Sequence, residues 1–264
     1  MLDVDKISKT FFPGTVNEKK ALVDVDLHLA NGDFVTVIGS NGAGKSTLLN
    51  AVSGKLTVDR GDVRIDGTSV RRMPDFRRAR YIGRVFQDPM AGTSPDLTIE
   101  QNLALALRRG KGRGLGTSIT RKRKSLFRDE LKSLDLGLED RLTTLVGLLS
   151  GGQRQALSLL MAGFTKPSIL LLDEHTAALD PARAAHVTEL TQRIVASESL
   201  TTLMVTHNMQ QAIDLGNRLI MMHEGRIIYE VAGAAKSKTT VEDLLGRFAA
   251  IKGAVIDDKT MLAT

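Results

Sequence analysis

The chain has 264 residues, 42% hydrophobic and 25% charged, which is ordinary for a globular protein with a substantial core. It has no cysteine, so disulfides, thiolate zinc sites and cysteine nucleophiles are excluded. The net charge of +6 suits nucleic acid or an anionic membrane face, yet no apolar run reaches the roughly 18 residues of a membrane span, and MLDVDKISKT lacks the apolar core of a secretory signal; a soluble, cytoplasmic chain is expected.

Residues 2–38 read as a β-rich lobe. Val23, Val25, Leu27 and Leu29 alternate with Asp24, Asp26 and His28, the period of a half-buried strand. Upstream, Phe11 and Phe12 stand in a chain with only 4% aromatics. Either both are core or Phe11 stacks on an adenine.

Phe34 to Ile38 reads as a buried strand and Ser46 to Val52 as a helix. Between them lies Gly39-Ser40-Asn41-Gly42-Ala43-Gly44-Lys45-Ser46-Thr47. This satisfies G-x-x-x-x-G-K-[ST], the phosphate-binding loop. Glycines let the loop turn tightly and aim successive N–H groups inward. Those amides and the following helix start favour an anion. Lys45 would reach the β and γ phosphates, and the Ser46 hydroxyl would hold Mg²⁺.

Residues 61–67 read as a short strand, Pro74 to Arg80 as a short helix, and Tyr81 to Gln87 as a strand ending in a polar residue. Thr98 and Gln101 form a capping box for a helix through Leu107, with Ile99, Leu103 and Leu107 on one face. Arg108 to Arg128 then holds nine Lys or Arg and no acid, more than the whole net charge. Gly110, Gly112, Gly114 and Gly116 make its first half flexible, and Thr120 to Leu134 is helical in pattern. A solvated face, an anionic-lipid contact and a nucleic-acid contact all fit. Few interleaved aromatics argue against a single-strand stacking platform.

Leu149-Ser150-Gly151-Gly152-Gln153 precedes a helical pattern from Gln155 to Phe164. Alone it is a helix cap, and such an end can also grip a phosphate. Ile169 to Leu172 is a continuous apolar run, as in a central parallel strand. It ends in Asp173-Glu174, a pair suited to holding Mg²⁺ and activating water. Strand carboxyl ends present ligands in open α/β sheets, which places the pair beside the phosphate loop. Asp180 caps a further helix with Pro181 at its first position. Thr201 to Thr206 reads as another buried strand, ending at His207. Leu219 to Met222 and Arg226 to Val231 read as a hairpin, and a short helix runs from Thr239 to about Ala250. Residues 251–264 carry no pattern and suggest a loose tail.

Taken together, Phe11, the phosphate loop (39–47), Gln87, LSGGQ (149–153), ILLLDE (169–174), Asp180 and His207 resemble, in this order, the ATPase subunits of ATP-binding-cassette (ABC) systems over about residues 2–250. The one unusual position is Phe11, where Tyr is typical at the adenine-stacking site. The resemblance implies an α/β P-loop NTPase with an ABC-type core. Helices flank a parallel sheet, beside an N-terminal antiparallel β-subdomain and an inserted helical subdomain at about 90–150. A single ATPase domain would cover 1–250.

The resemblance also implies ATP and Mg²⁺ as cofactors. Two copies would pair head to tail, each phosphate loop facing Leu149, Ser150, Gly151, Gly152 and Gln153 of the other. Ser46, Gln87 and Asp173 would serve the metal, Glu174 the attacking water, and His207 the γ-phosphate. Asp180 would organise the interface. The partners would be integral membrane permease subunits and, indirectly, a solute-binding protein, at the cytoplasmic face of the membrane, with no specific nucleic acid. EHTAALD and LTTLMVTHNMQQAIDLGNRLIMMHEG resemble importers of amino-acid-like solutes, aromatic ones included. The competing class is a soluble ABC-type ATPase acting on nucleic acid or ribosomes; one cassette, no heptad run and no cysteine speak against it.

Overall fold

The computed structural model describes residues 1–111 and 118–250. The expected glycine flexibility at Gly112, Gly114 and Gly116 and the expected tail at 251–264 lie outside these residues. In chain order the strands are β1 (Leu2–Phe11), β2 (Lys19–Leu29), β3 (Phe34–Gly39), β4 (Arg60–Ile65), β5 (Thr68–Ser69), β6 (Ile82–Val85), β7 (Ile169–Asp173), β8 (Thr202–Val205), β9 (Arg218–His223) and β10 (Arg226–Ala232). The helices are α1 (Lys45–Ser53), α2 (Asp75–Arg78), α3 (Ile99–Leu107), α4 (Arg121–Lys132), α5 (Gly151–Gly163), α6 (Pro181–Ser197), α7 (Met209–Asp214) and α8 (Gly233–Lys236). Residues 241–250 are also helical.

Two sheets result. One is antiparallel, in the order β2-β1-β4-β5. The other runs β10-β9-β3-β8-β7-β6 and is parallel except for the β9–β10 hairpin. α1 lies between them: its Leu48, Leu49 and Val52 join a core that includes Leu27 and Leu29 from β2 and Val35 and Val37 from β3. A second core gathers α3, α4 and α5 around Phe127, Leu131, Ile99 and Leu159, on the other side of the parallel sheet. Ile169 to Leu172 have no solvent exposure, as a strand covered on both faces requires.

The alternation read in β2 is only partly right. Val25, Leu27 and Leu29 face inward, but Asp24 takes a left-handed φ of 47° and breaks the register. The phase flips there, so Leu22 is buried where Val23 was expected. Val23 is half-buried, and its N–H crosses to the carbonyl of Gly225, tying the two sheets together.

The basic segment resolves into several roles. Arg121 and Lys122 lie exposed on α4, and Lys124 pairs with Glu100 at 2.9 Å. Arg109 instead donates to the carbonyls of Met161 and Ala162 near the end of α5, both at 3.0 Å, and burial pulls its pKa down.

One buried cation and one buried imidazole fix how elements meet. Arg78 on α2 is 3% exposed and caps the end of α1. Its Nη1 donates to the carbonyls of Ala51 (2.8 Å) and Val52 (2.9 Å), and Nε and Nη2 serve Met73 and Arg71. These are last-turn carbonyls, of which Ala51 also accepts the C-cap Gly54 N–H at 3.3 Å. Arg78→Met should therefore leave buried acceptors unpaired and lower stability by about 3 kcal/mol, read as a denaturant midpoint shift at constant m-value. A change below about 0.5 kcal/mol would contradict the capping account.

His175 follows Glu174 and is 1% exposed. The Thr191 hydroxyl gives its proton to the Val187 carbonyl, so His175 Nε2 must be the donor in its 2.9 Å bond to Thr191. Nδ1 is buried without a partner, and burial pushes the imidazole pKa down to about 4. The depressed pKa fixes the sign. The unfolded chain binds this proton below about 6.5, whereas the folded chain binds it only near 4. Stability should be unaffected by His175 above pH 6.5, then fall by about 3 kcal/mol between pH 6.5 and 4. His175→Gln should lose less stability than the unaltered chain over that interval; parallel losses would place the acid sensitivity elsewhere.

Candidate functional site

β3 delivers the phosphate loop at its carboxyl end. Gly44 sits at φ 102°, and a Cβ there would lie 2.5 Å from the Ala21 carbonyl, so only glycine fits. Gly44 is also the N-cap of α1 and offers no side-chain cap, which leaves the first-turn amides to an outside acceptor. Lys45 is 7% exposed. Its ammonium is held by the carbonyls of Gly39 (2.6 Å) and Ser40 (3.2 Å). Burial pulls its pKa down, and the charges of Glu174 and Asp173 partly oppose this. Ser46 is exposed and Thr47 half-buried.

A cleft of about 250 Å³ lies over this loop, lined by Phe11, Lys19, Ala21, Asn41 to Thr47, and Glu174. The choice between the two phenylalanines is settled in part. Phe11 is half-buried on the cleft wall, with the Lys9 ammonium 6.0 Å from its ring centre. Phe12 is 66% exposed, so the reading of both rings as core is wrong: Phe12 turns outward at a left-handed φ of 51°.

β7 and β8 bring the other groups to the same rim. Their register pairs Asp173 with Val205, and Val37 of β3 pairs with Val205 from the other side. Asp173 Oδ2 is 2.8 Å from Arg84 Nη2. Arg84 also reaches Asn50 (2.8 Å) and Ser53 (3.1 Å) on α1. Sequence reasoning missed Arg84. Its only signal is a cation between Gly83 and Val85 in a strand whose neighbours are buried.

Glu174 adopts φ 45°, uncommon for a residue with a side chain, with its N–H bonded to the Val205 carbonyl at 2.9 Å. This backbone turns its carboxylate toward the phosphate-loop cleft. Glu174 Oε2 lies 3.6 Å from His207 Nδ1; the imidazole is 62% exposed. Both residues also line a second cleft of about 660 Å³ along α6 and α7.

The remaining expected residues do not line the phosphate-loop cleft in this single chain. Leu149 is 4% exposed and belongs to the core, so its side chain is not a ligand contact. Ser150 and Gln153 form a reciprocal capping box at the start of α5, with bonds of 3.3 and 3.1 Å. Gly151 and Gly152 form the first turn, and a Cβ on Gly152 would meet Arg183 at 3.2 Å. Asp180 caps α6 and pairs with Arg183 at 3.2 Å. Gln87 is exposed just beyond β6.

Among the described residues there is no cluster of three or more metal-ligating side chains and no helix long and apolar enough to cross a membrane. The ABC transporter family profile matches residues 22–177. A tyrosine transport ATP-binding protein of Clostridioides difficile is 43% identical over 94% of this chain and 98% of its own length. A methionine import ATP-binding protein of Streptococcus pneumoniae is 35% identical over 87% of this chain and 64% of its own length. Among solved structures, the ATP-binding cassette MJ0796, a dimer in a post-hydrolysis state bound to ADP and phosphate, superposes with a TM-score of 0.74 at 30% identity, covering 88% of this chain and 98% of that one. With the phosphate loop, the Asp173-Glu174 strand end and His207 on one rim, the chain belongs to the ABC transporter family, as an ATP-hydrolysing cassette.

Proposed function

We propose that Glu174 positions the water that attacks the γ-phosphate of ATP, and that this hydrolysis drives a membrane permease importing an amino-acid-like solute. The observation that carries the reading is the left-handed backbone at Glu174, which brings its carboxylate to the phosphate-loop cleft and within 3.6 Å of His207. Glu174 is 22% exposed, accessible to water yet partly shielded. Lys45 and the loop amides bind and orient the triphosphate, and Phe11 offers a face for the adenine. His207 donates to the γ-phosphate. The residues fit one Mg²⁺: the Ser46 hydroxyl is open, and Asp173 is anchored by Arg84 through one oxygen, leaving the other for a coordinated water, with Gln87 as a further ligand from its loop. When bound, the ion would neutralise charge on the β and γ phosphates. Positioning and charge neutralisation account for most of phosphoryl-transfer catalysis, so no covalent role is needed for any of these side chains.

The cleft of one chain is only half a site. Ser150, Gly151, Gly152 and Gln153 open α5 as an anion-favouring helix start, away from that cleft. A second copy, rotated head to tail, would lay this end on the γ-phosphate, with Asp180 at the junction. The dimeric cassette among the similar structures supports this arrangement. The single domain would span 1–250 with its helical part at about 90–150, peripheral to the cytoplasmic face of the membrane. The relatives named for tyrosine transport and methionine import support an amino-acid-like cargo delivered by a solute-binding protein.

Glu174→Gln tests both halves of the reading. ATP binding should persist while turnover falls at least about 10²-fold. Pulled from detergent-solubilised native membranes with ATP, this variant should bring an integral membrane protein with it. Near-normal turnover removes Glu174 from its role; recovery with ribosomes or DNA alone overturns the transport reading.

A further inference from the structure

Three segments meet beside the candidate site, and one neutral side chain joins them. Thr206 is the residue before His207, and its hydroxyl accepts the N–H of Asn208 at 3.1 Å. That bond closes a turn over His207. The same hydroxyl donates to Gln211 Oε1 at 2.8 Å. Gln211 Nε2 then donates to Thr188 Oγ1 (3.0 Å) on α6 and to Thr176 Oγ1 (3.3 Å), two residues after Glu174. The Thr188 hydroxyl gives its own proton to the Ala184 carbonyl at 2.8 Å, so it can only accept from Gln211. This fixes which way the amide faces. The carbonyl and both amide hydrogens of Gln211 are therefore engaged. Its backbone N–H is also taken, by Asn208 Oδ1 at 2.9 Å.

From this geometry we infer that Gln211 is a positioning residue of the hydrolytic site: it locks the turn bearing His207 against the loop that follows Glu174. The inference rests on the reading that His207 and Glu174 act at the γ-phosphate. Gln211 itself touches neither. It acts through Thr206 on one side and Thr176 on the other, and through Thr188 it registers both against α6, the helix that Asp180 opens. His207 is mostly exposed, and its backbone turn is held by the Thr206 hydroxyl together with the Asn208 cap of α7, whose Oδ1 accepts the Gln211 N–H at 2.9 Å. Loss of Gln211 frees that hydroxyl to rotate, and the imidazole loses its fixed distance to Glu174.

The test is a double-mutant cycle on ATP turnover. Gln211→Met keeps the length of the side chain and removes all three bonds; kcat should fall about tenfold with nucleotide affinity changed less than about twofold. In a His207→Ala background the same change should cost nothing further. Thr206→Val should reproduce the Gln211→Met loss, and Thr206→Ser, which keeps the hydroxyl, should restore it; thermal melts report that each variant is folded. Unchanged kcat in Gln211→Met beside an impaired His207→Ala would overturn the proposal alone. So would a full further loss in the double variant, or an equal loss of nucleotide affinity. Near-normal turnover in His207→Ala would remove His207 from the chemistry and take the proposal with it.

Discussion

The parallel pairing of β3, β8 and β7 is the constraint on which the chemistry depends. Val205 of β8 is registered with Val37 of β3 on one side and Asp173 of β7 on the other. Three strand ends are thus held within one or two strand spacings, each about 4.8 Å. The strands between them are fully buried and cannot slide without moving every side chain to the wrong face. The phosphate loop follows β3, Asp173 closes β7 with Glu174 just beyond it, and His207 lies two residues past the end of β8. Their mutual placement is therefore a property of the sheet, and the loops need only turn away from it in the right direction. Glu174 does so through a left-handed backbone; Gly44 does so because no Cβ fits.

Charge at this rim is balanced locally. Lys45 is drawn toward loop carbonyls while Asp173 is held by Arg84, which also grips α1. A metal ion and a triphosphate would enter a site where Lys45 and Asp173 already have polar partners, so binding at these two groups exchanges partners. Glu174 lies 3.6 Å from the His207 imidazole and within electrostatic reach of Lys45, with its carboxylate on the cleft where a water can reach it.

Much of this was legible in the sequence, where local chemistry decides. The glycine spacing of the phosphate loop, the capping box at Thr98, the helix cap at Ser150, and the Asp180-Pro181 helix start all depend on residues within a turn of one another. Ile169 to Leu172 announced a central strand by composition alone. What escaped depends on partners far along the chain. Arg78 and Arg84 look like surface charges until α1 is packed beside them. Gln211 looks like a polar helix residue until α6 supplies Thr188. The bulge at Asp24 shifts the β2 pattern by one, so Leu22 replaces Val23 in the core, and nothing in the alternation marks where the phase changes. Leu149 was grouped with its motif, yet its side chain serves the core.

On the proposed reading, one chain carries two halves of different sites, each completed by a second copy. The absence of native cysteine makes a clean test possible. Asn41→Cys places a thiol on the exposed phosphate loop, and Leu148→Cys places one at an exposed position beside Ser150 without disturbing its capping box. Two such singly substituted chains, both carrying Glu174→Gln, are mixed and treated with a short bis-maleimide. A covalent dimer between the two different chains should appear with ATP and fade with ADP. A cross-link indifferent to nucleotide, or none in saturating ATP, would contradict it.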